Sequence, residues 1–320
     1  MTPTDLHLAH TQGFCAGVVN AIDIVSLSIE KFGVPLYVRH AIVHNTSVIK
    51  DFESRGVIFV EDLADVPDDH VIVFSAHGTS PDVYAAAKKR NITIIDATCP
   101  LVTKVHRQAK RYSERGIHIV LIGHRGHQEL IGTSGYIRPD LLHVVEDEVD
   151  VAELNLPEDV DIGVLTQTTL SVDDTSFLIN KLRDRYPNII TGGKEDICYA
   201  TQNRQDAVKA LAKAECELII VIGSANSSNS NRLVETAQQH GVDSFIIDLP
   251  EALNMTKLTS YQRVGVTSGA SVPSYLIERL LDRIKSQYPD IRVHKSPSVE
   301  KDILFPLPPE VQDMRSSNVT

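Results

Sequence analysis

The chain has 320 residues, of which 42% are hydrophobic and 23% charged, enough for two or three small domains or one composite core. Its net charge of −11, from 31 Lys and Arg against 42 Asp and Glu, argues against a general nucleic-acid binder, which needs a basic footprint. Four widely spaced cysteines do not form a disulfide framework. The start of the chain lacks the basic and apolar pattern of a signal peptide, and apolar runs such as 218–222 are far too short to cross a bilayer, so a cytoplasmic protein is expected.

Taken in chain order, the elements repeat. After Cys15, residues 21–32 place apolar side chains at helical spacing, closed by Gly33 and Pro35. A strand at 35–38 runs into the polar turn His40 to Asn45, and a second strand at 71–74 ends in Ser75-Ala76-His77-Gly78. After Cys99 a helix is expected over 102–114, then a strand at 117–122 entering Gly123 to Glu129, then a strand at 162–165 ending at Thr166 to Thr169. After Cys198 the same series runs through a helix at 204–214, a strand at 218–222 entering Gly223 to Asn229, and a strand at 264–266 ending at Thr267 to Ser271. A fourth round starts with a helix at 275–284 and a strand near 291–293, but brings no cysteine. The tail, with Pro306, Pro308 and Pro309 and then Arg315 to Asn318, is expected to be extended and frayed at its end.

Offsets from each cysteine to the first polar loop agree, at 29, 28 and 29 residues for His44, His127 and Ser227. Offsets to the second, at His77, Thr168 and Ser271, are 62, 69 and 73. The expected fold is therefore α/β, with three similar small domains in pseudo-threefold arrangement around a central cavity. The expected boundaries are 1–98, 99–196 and 197–290, followed by a strand and extended tail at 291–320.

Polar loops after the strands of open α/β units are where ligands bind. His44, His77 and His127, with Ser227, Ser228, Asn229 and Ser271, form a candidate anion site, since hydroxyl and amide donors ahead of a helix suit phosphate oxygens. Taken singly, each is also an ordinary cap or surface residue. Glu129 lies in a loop expected to face the cavity, where an anionic ligand pushes a carboxyl toward its neutral, proton-donating form. Thr168 is a candidate relay beside it. His40 and His44 have the spacing of a zinc-protease pair, but Ala41 leaves no Glu to act as base. Cys15, Cys99 and Cys198 each open a helix, where a thiolate is favoured. Without a close Cys-x-x-Cys pair they suggest an iron–sulfur cluster with one open position, the alternative being three scattered core thiols. Cys216, off the repeat and beside an apolar strand, reads as a core thiol.

The motifs Gly13 to Val18, Val43 to Asn45, Ser75 to Gly78, Asp96 to His106, Thr166 to Ser171, Asp196 to Thr201 and Asn226 to Arg232 together resemble the 4-hydroxy-3-methylbut-2-enyl diphosphate reductase family, over about Leu6 to Pro309. The resemblance implies one [4Fe-4S] cluster held by Cys15, Cys99 and Cys198, with its fourth iron open to the substrate hydroxyl as a Lewis acid. It implies that His44, His77, His127, Ser227, Ser228, Asn229 and Ser271 surround the diphosphate. Glu129 would donate the proton, with Thr168 beside the substrate hydroxyl. It also implies a ferredoxin or flavodoxin as transient electron donor, and isopentenyl and dimethylallyl diphosphate as products. Ala41, Gln128 and Ser268 depart from the residues common in the family, and none is a proposed ligand. The rival expectations are a non-redox hydro-lyase with an open iron and a non-catalytic phosphate-binding or iron-sensing module.

Overall fold

The structure is a computed structural model that describes residues 2–157, 159–191, 196–297, 300 and 303–317. Its strands, in chain order, are β1 (Asp5–Leu8), β2 (Leu36–Arg39), β3 (Val57–Val60), β4 (Val71–Phe74), β5 (Thr93–Asp96), β6 (His118–Ile122), β7 (Leu142–Val145), β8 (Ile162–Thr166), β9 (Ile189–Thr191), β10 (Leu218–Ile222), β11 (Asp243–Ile247), β12 (Arg263–Ser268) and β13 (Arg292–Lys295). The helices are α1 (Ala16–Phe32), α2 (Thr46–Ser54), α3 (Pro81–Lys89), α4 (Pro100–Glu114), α5 (Gln128–Ser134), α6 (Glu148–Glu153), α7 (Val172–Arg185), α8 (Tyr199–Lys213), α9 (Ser228–Gln239) and α10 (Ser274–Gln287). This is an α/β protein with three parallel sheets, ordered β3-β2-β4-β5, β7-β6-β8-β9 and β11-β10-β12-β1-β13.

The chain divides into two compact units. One comprises residues 1–16, 44–47 and 199–303 and holds the five-stranded sheet; the other comprises 17–43, 48–198 and 304–320 and holds the two four-stranded sheets.

The central strands are continuous apolar runs because parallel sheets are covered on both faces. In β10, Leu218, Ile220 and Ile222 point into one core with Leu276, Leu280 and Ile284 of α10. Ile219 and Val221 point into another with Val208 and Leu211 of α8 and Leu233 of α9. β6 splits the same way: Val120 and Ile122 pack with Leu178 and Leu182 of α7, and Ile119 and Leu121 with Val105, Ala109 and Tyr112 of α4. α4 begins at Pro100, where a missing N–H costs nothing, and buries Val102, Val105, Ala109 and Tyr112 along one stripe.

In each sheet the chain enters on a central strand, moves one place outward, then crosses back to the other side. β2 and β4, β6 and β8, and β10 and β12 therefore flank a topological switch point, and their carboxyl ends carry the two polar loops of each repeat. The strand in fourth place is β5, β9 or β1, and a cysteine follows each. The N-terminal strand thus completes the C-terminal sheet, lying between β12 and β13.

The tail differs from an extended, frayed end: residues 312–317 form a short 3-10 helix, and Lys31 pairs with Asp313 at 2.8 Å. Residues 318–320 lie outside the described residues. Among the described residues no helix is long and apolar enough to cross a membrane.

Candidate active site

In the unit built on the five-stranded sheet, the switch-point loops are tied together by side chains. Ser227 caps α9, its hydroxyl accepting the Ser230 N–H at 3.3 Å. Asn229 accepts the Ala270 N–H at 3.0 Å on Oδ1 and donates to Thr201 Oγ1 at 3.4 Å. Ser271 donates to the His44 carbonyl at 2.9 Å, fixing the segment that carries His44. Ser227, Asn229 and Ser271 are buried, and Ser228 and His44 are half-buried. A Cβ on Gly223 or Gly269 would stand 2.2 or 2.1 Å from Ser230 Oγ, so only glycine lets both loops close on this serine. Burial holds the His44 imidazole below its ordinary pKa and so favours its neutral form. This is a cluster of hydroxyl, amide and imidazole groups at a helix start, the chemistry that binds phosphate oxygens.

In the other unit, His77 follows β4, and His127, Glu129 and Thr168 sit at the β6/β8 switch point. The His77 and His127 rings meet edge to face at 6.0 Å between centroids, and Ser75 Oγ lies 3.3 Å from His77 Nδ1. His127 caps α5, accepting the Glu129 N–H at 3.2 Å. Glu129 is 3% exposed, and Thr168 donates to it twice: backbone N–H to Oε1 at 2.6 Å and hydroxyl to Oε2 at 2.9 Å. Burial raises the Glu129 pKa to about 7, against the two Thr168 bonds, which lower it. Among the described residues no cation offsets that burial, so the carboxyl is poised to hold or release a proton near neutrality.

The two units use one backbone plan. Glu129 and Asn229 each stand two residues after a helix cap, and each accepts an N–H from the facing switch loop, from Thr168 and Ala270. The same residues' carbonyls receive a cysteine N–H: Cys198 on Thr168 at 3.0 Å and Cys15 on Ala270 at 3.0 Å. Cys99 does likewise on Ala76 at 3.1 Å. One scaffold position thus carries an amide in one unit and a buried acid in the other.

This bonding also corrects the expected cofactor. Among the described residues, the group of three or more whose ligand atoms all lie within 4.8 Å of one another is Asp5, His7 and His294, and it contains no cysteine. Cys15, Cys99 and Cys198 are half-buried and outside any disulfide, Cys15 in one unit and Cys99 and Cys198 in the other. A three-cysteine [4Fe-4S] cluster is therefore not carried forward. The cysteines recur at helix starts because each backbone N–H docks on a switch loop, and this needs no shared ligand. Asp5 opens β1, and His7 and His294 face each other in register on β1 and β13. Their groups are engaged internally: Asp5 binds His294 and Arg292 at 2.7 Å each, and His7 stacks on His294 at 4.4 Å.

Other expectations fall where the sequence put them. Cys216 is a core thiol, 4% exposed, its pKa pushed by burial up to about 11. His40 shapes its turn at φ 60°, with Nδ1 2.6 Å from Glu61. Residues not singled out from sequence include Gln167, whose amide accepts the His124 N–H at 3.1 Å and donates to Thr169 at 2.7 Å, stitching the two loops together. Thr201, Arg204 and Ser268 were also missed. Arg204 is fully buried, donating to the Gly13 carbonyl at 2.7 Å and pairing with Glu300 at 3.2 Å, and Ser268 receives the Gly13 N–H at 2.8 Å. Polar residues inside a helix or strand carry no sequence sign of such internal bonds.

A family model described as LytB protein matches residues 6–285. The chain belongs to the LytB family. Among curated relatives, the 4-hydroxy-3-methylbut-2-enyl diphosphate reductase of Azotobacter vinelandii is 47% identical over 314 residues, spanning 97% of this chain and 99% of its own length. That of Pseudomonas putida is 50% identical over 284 residues, spanning 88% and 90%. The solved E-1-hydroxy-2-methyl-but-2-enyl-4-diphosphate reductase of Plasmodium falciparum superposes with a TM-score of 0.94 at 36% identity, covering 99% of this chain and all of that one. LytB membership extends over both units and includes every motif quoted above.

Proposed function

We propose that this chain catalyses reductive dehydroxylation of 4-hydroxy-3-methylbut-2-enyl diphosphate to isopentenyl and dimethylallyl diphosphate. The observation that carries the chemistry is the buried Glu129, held by two Thr168 bonds with a pKa about 7. The net reaction consumes two electrons and two protons, breaks the allylic C–O bond, forms one C–H bond and releases water.

Hydroxide is a poor leaving group, so the hydroxyl requires a proton as the C–O bond breaks. Protonated Glu129 supplies it, and the Thr168 donors then stabilise the carboxylate left behind. The Thr168 hydroxyl, 2.9 Å from Glu129 Oε2, is placed to pass that proton along. His77 and His127 border the same loops and orient the reacting end. The diphosphate calls for donors, and Ser227, Ser228, Asn229, Ser271 and His44 offer them at the start of α9. Charge-assisted bonds of this kind are about twice as strong as neutral ones and fix the carbon skeleton. A bound diphosphate raises the His44 pKa, opposing the effect of burial. The electrons arrive singly from a small redox protein such as a ferredoxin or flavodoxin. The reaction is assigned to the cytoplasm, in keeping with four cysteines outside any disulfide among the described residues.

The test is anaerobic turnover with reduced methyl viologen. Wild-type protein is expected to form both products, and Glu129→Gln to bind substrate with similar affinity while losing about 10²–10⁴ in kcat. An unimpaired Glu129→Gln rate removes Glu129 from the reaction.

A further inference from the structure

The chain is acidic overall, yet residues 81–115 carry eight Lys or Arg against three Asp or Glu. The excess is gathered on one surface. On α4 the exposed residues Lys104, Arg107, Lys110, Arg111 and Arg115 follow one face, opposite the buried stripe of Val102, Val105, Ala109 and Tyr112. α3 ends in the exposed pair Lys88 and Lys89. A groove of about 580 Å³ lies between the two helices, lined by Lys88 and Tyr84 of α3, Lys110 of α4, Tyr136 and one carboxylate, Asp96, which accepts from the Tyr84 hydroxyl at 2.7 Å. Lys110 pairs with Glu114 at a long 3.8 Å, both exposed, which contributes little.

The groove is joined to the reacting loops. Tyr136 donates to the Thr79 carbonyl at 3.3 Å, two residues after His77, and Gly135 follows α5, six residues and about 9 Å of helix rise from Glu129. His106, buried from α4, stacks on Tyr136 at 4.4 Å and so ties this side of the groove to α4.

We propose that this α3/α4 groove docks an acidic one-electron-transfer protein, with Lys88, Lys110, Arg107 and Arg111 facing its carboxylates and Tyr84 and Tyr136 forming the apolar centre. The inference rests on the reductive reaction proposed above, which takes up two electrons, each leaving one donor molecule oxidised by one electron. Redox encounters use small, charge-steered interfaces, often under about 1,200 Å², and a groove flanked by two basic helices suits that scale. A basic surface on an otherwise acidic chain also orients the approaching donor, because the rest of the molecule repels it.

The experiment compares two reductants on one set of variants: Lys88→Glu with Lys110→Glu, Arg107→Glu with Arg111→Glu, and the milder Lys88→Gln with Lys110→Gln. With reduced flavodoxin or plant-type ferredoxin at low ionic strength, KM for the donor is expected to rise about tenfold or more in each Glu pair and less in the Gln pair. The steep loss of wild-type rate on adding salt should flatten. With reduced methyl viologen, all variants should turn over like wild type, which also shows that they fold. Unchanged donor KM in both Glu pairs overturns the proposal, as does an oligonucleotide competing at this surface while the donor does not. A wild-type protein inactive with the dye would instead count against the proposed reaction.

Discussion

Replacing Glu129 by Gln separates the proton role of this side chain from its packing. The amide has nearly the same shape and can keep both partners, its oxygen accepting the Thr168 N–H and its nitrogen donating to the Thr168 hydroxyl. What it removes is the titration. Glu129 moves from about 4.5 to about 7 on folding because burial penalises the charge. A carboxyl raised in this way gives its full contribution below the unfolded pKa and loses it as pH climbs through the folded one. At about 1.4 kcal/mol per unit, wild type should lose roughly 3 kcal/mol from this group between pH 4.5 and pH 8. Isothermal urea unfolding of both proteins from pH 5 to pH 8.5 reads this directly. The Gln variant should gain on wild type by about that amount across the range, most steeply near pH 6. Parallel curves would show that Glu129 titrates as an ordinary carboxylate and would remove the basis for its role as acid.

Thr168→Val deletes the hydroxyl bond that favours ionised Glu129, so the alkaline fall of kcat should move above the wild-type position; a downward shift would reverse the reasoning. Asn229→Ala cuts the ties to Ala270 and Thr201, and KM for the diphosphate substrate should rise about tenfold, the worth of one good hydrogen bond, measured by steady-state kinetics. Gly78→Ala places a Cβ 2.5 Å from the His106 ring at φ 86°, and calorimetry should show a loss on the order of 2 kcal/mol, partly restored by His106→Ala.

Much of the fold was legible because buried parallel strands leave a plain trace. The runs at 71–74 and 218–222 are strands over those same residues, and the regular return of a polar loop after each reflects the switch point. Less legible were edge strands such as β3 and β11: β11 is half-exposed and starts with Asp243 and Ser244, and the short apolar run of β3 leads into none of the polar loops that marked the other strands. The place of β1 was hidden too, since nothing in Asp5–Leu8 says that its neighbours lie more than 250 residues away. At the site, Glu129 and Thr168 stood out by position, and the structure adds the paired hydrogen bonds. The repeated cysteines were misleading for a physical reason. A shared backbone bond to the switch loop produces the same spacing that shared ligation would. Arg204 was invisible because a charged residue in a helix normally marks the solvent face, whereas this one is buried by the loop at Gly13 and by Glu300.

The central claim is that this LytB chain removes the allylic hydroxyl by reduction and protonation. Anaerobic conversion of 4-hydroxy-3-methylbut-2-enyl diphosphate in D₂O with reduced methyl viologen, followed by mass and NMR analysis, tests it most directly. Isopentenyl and dimethylallyl diphosphates are expected, each with a single solvent-derived deuteron on carbon and one water released. A diol from hydration, or unchanged substrate beside oxidised dye, would contradict it.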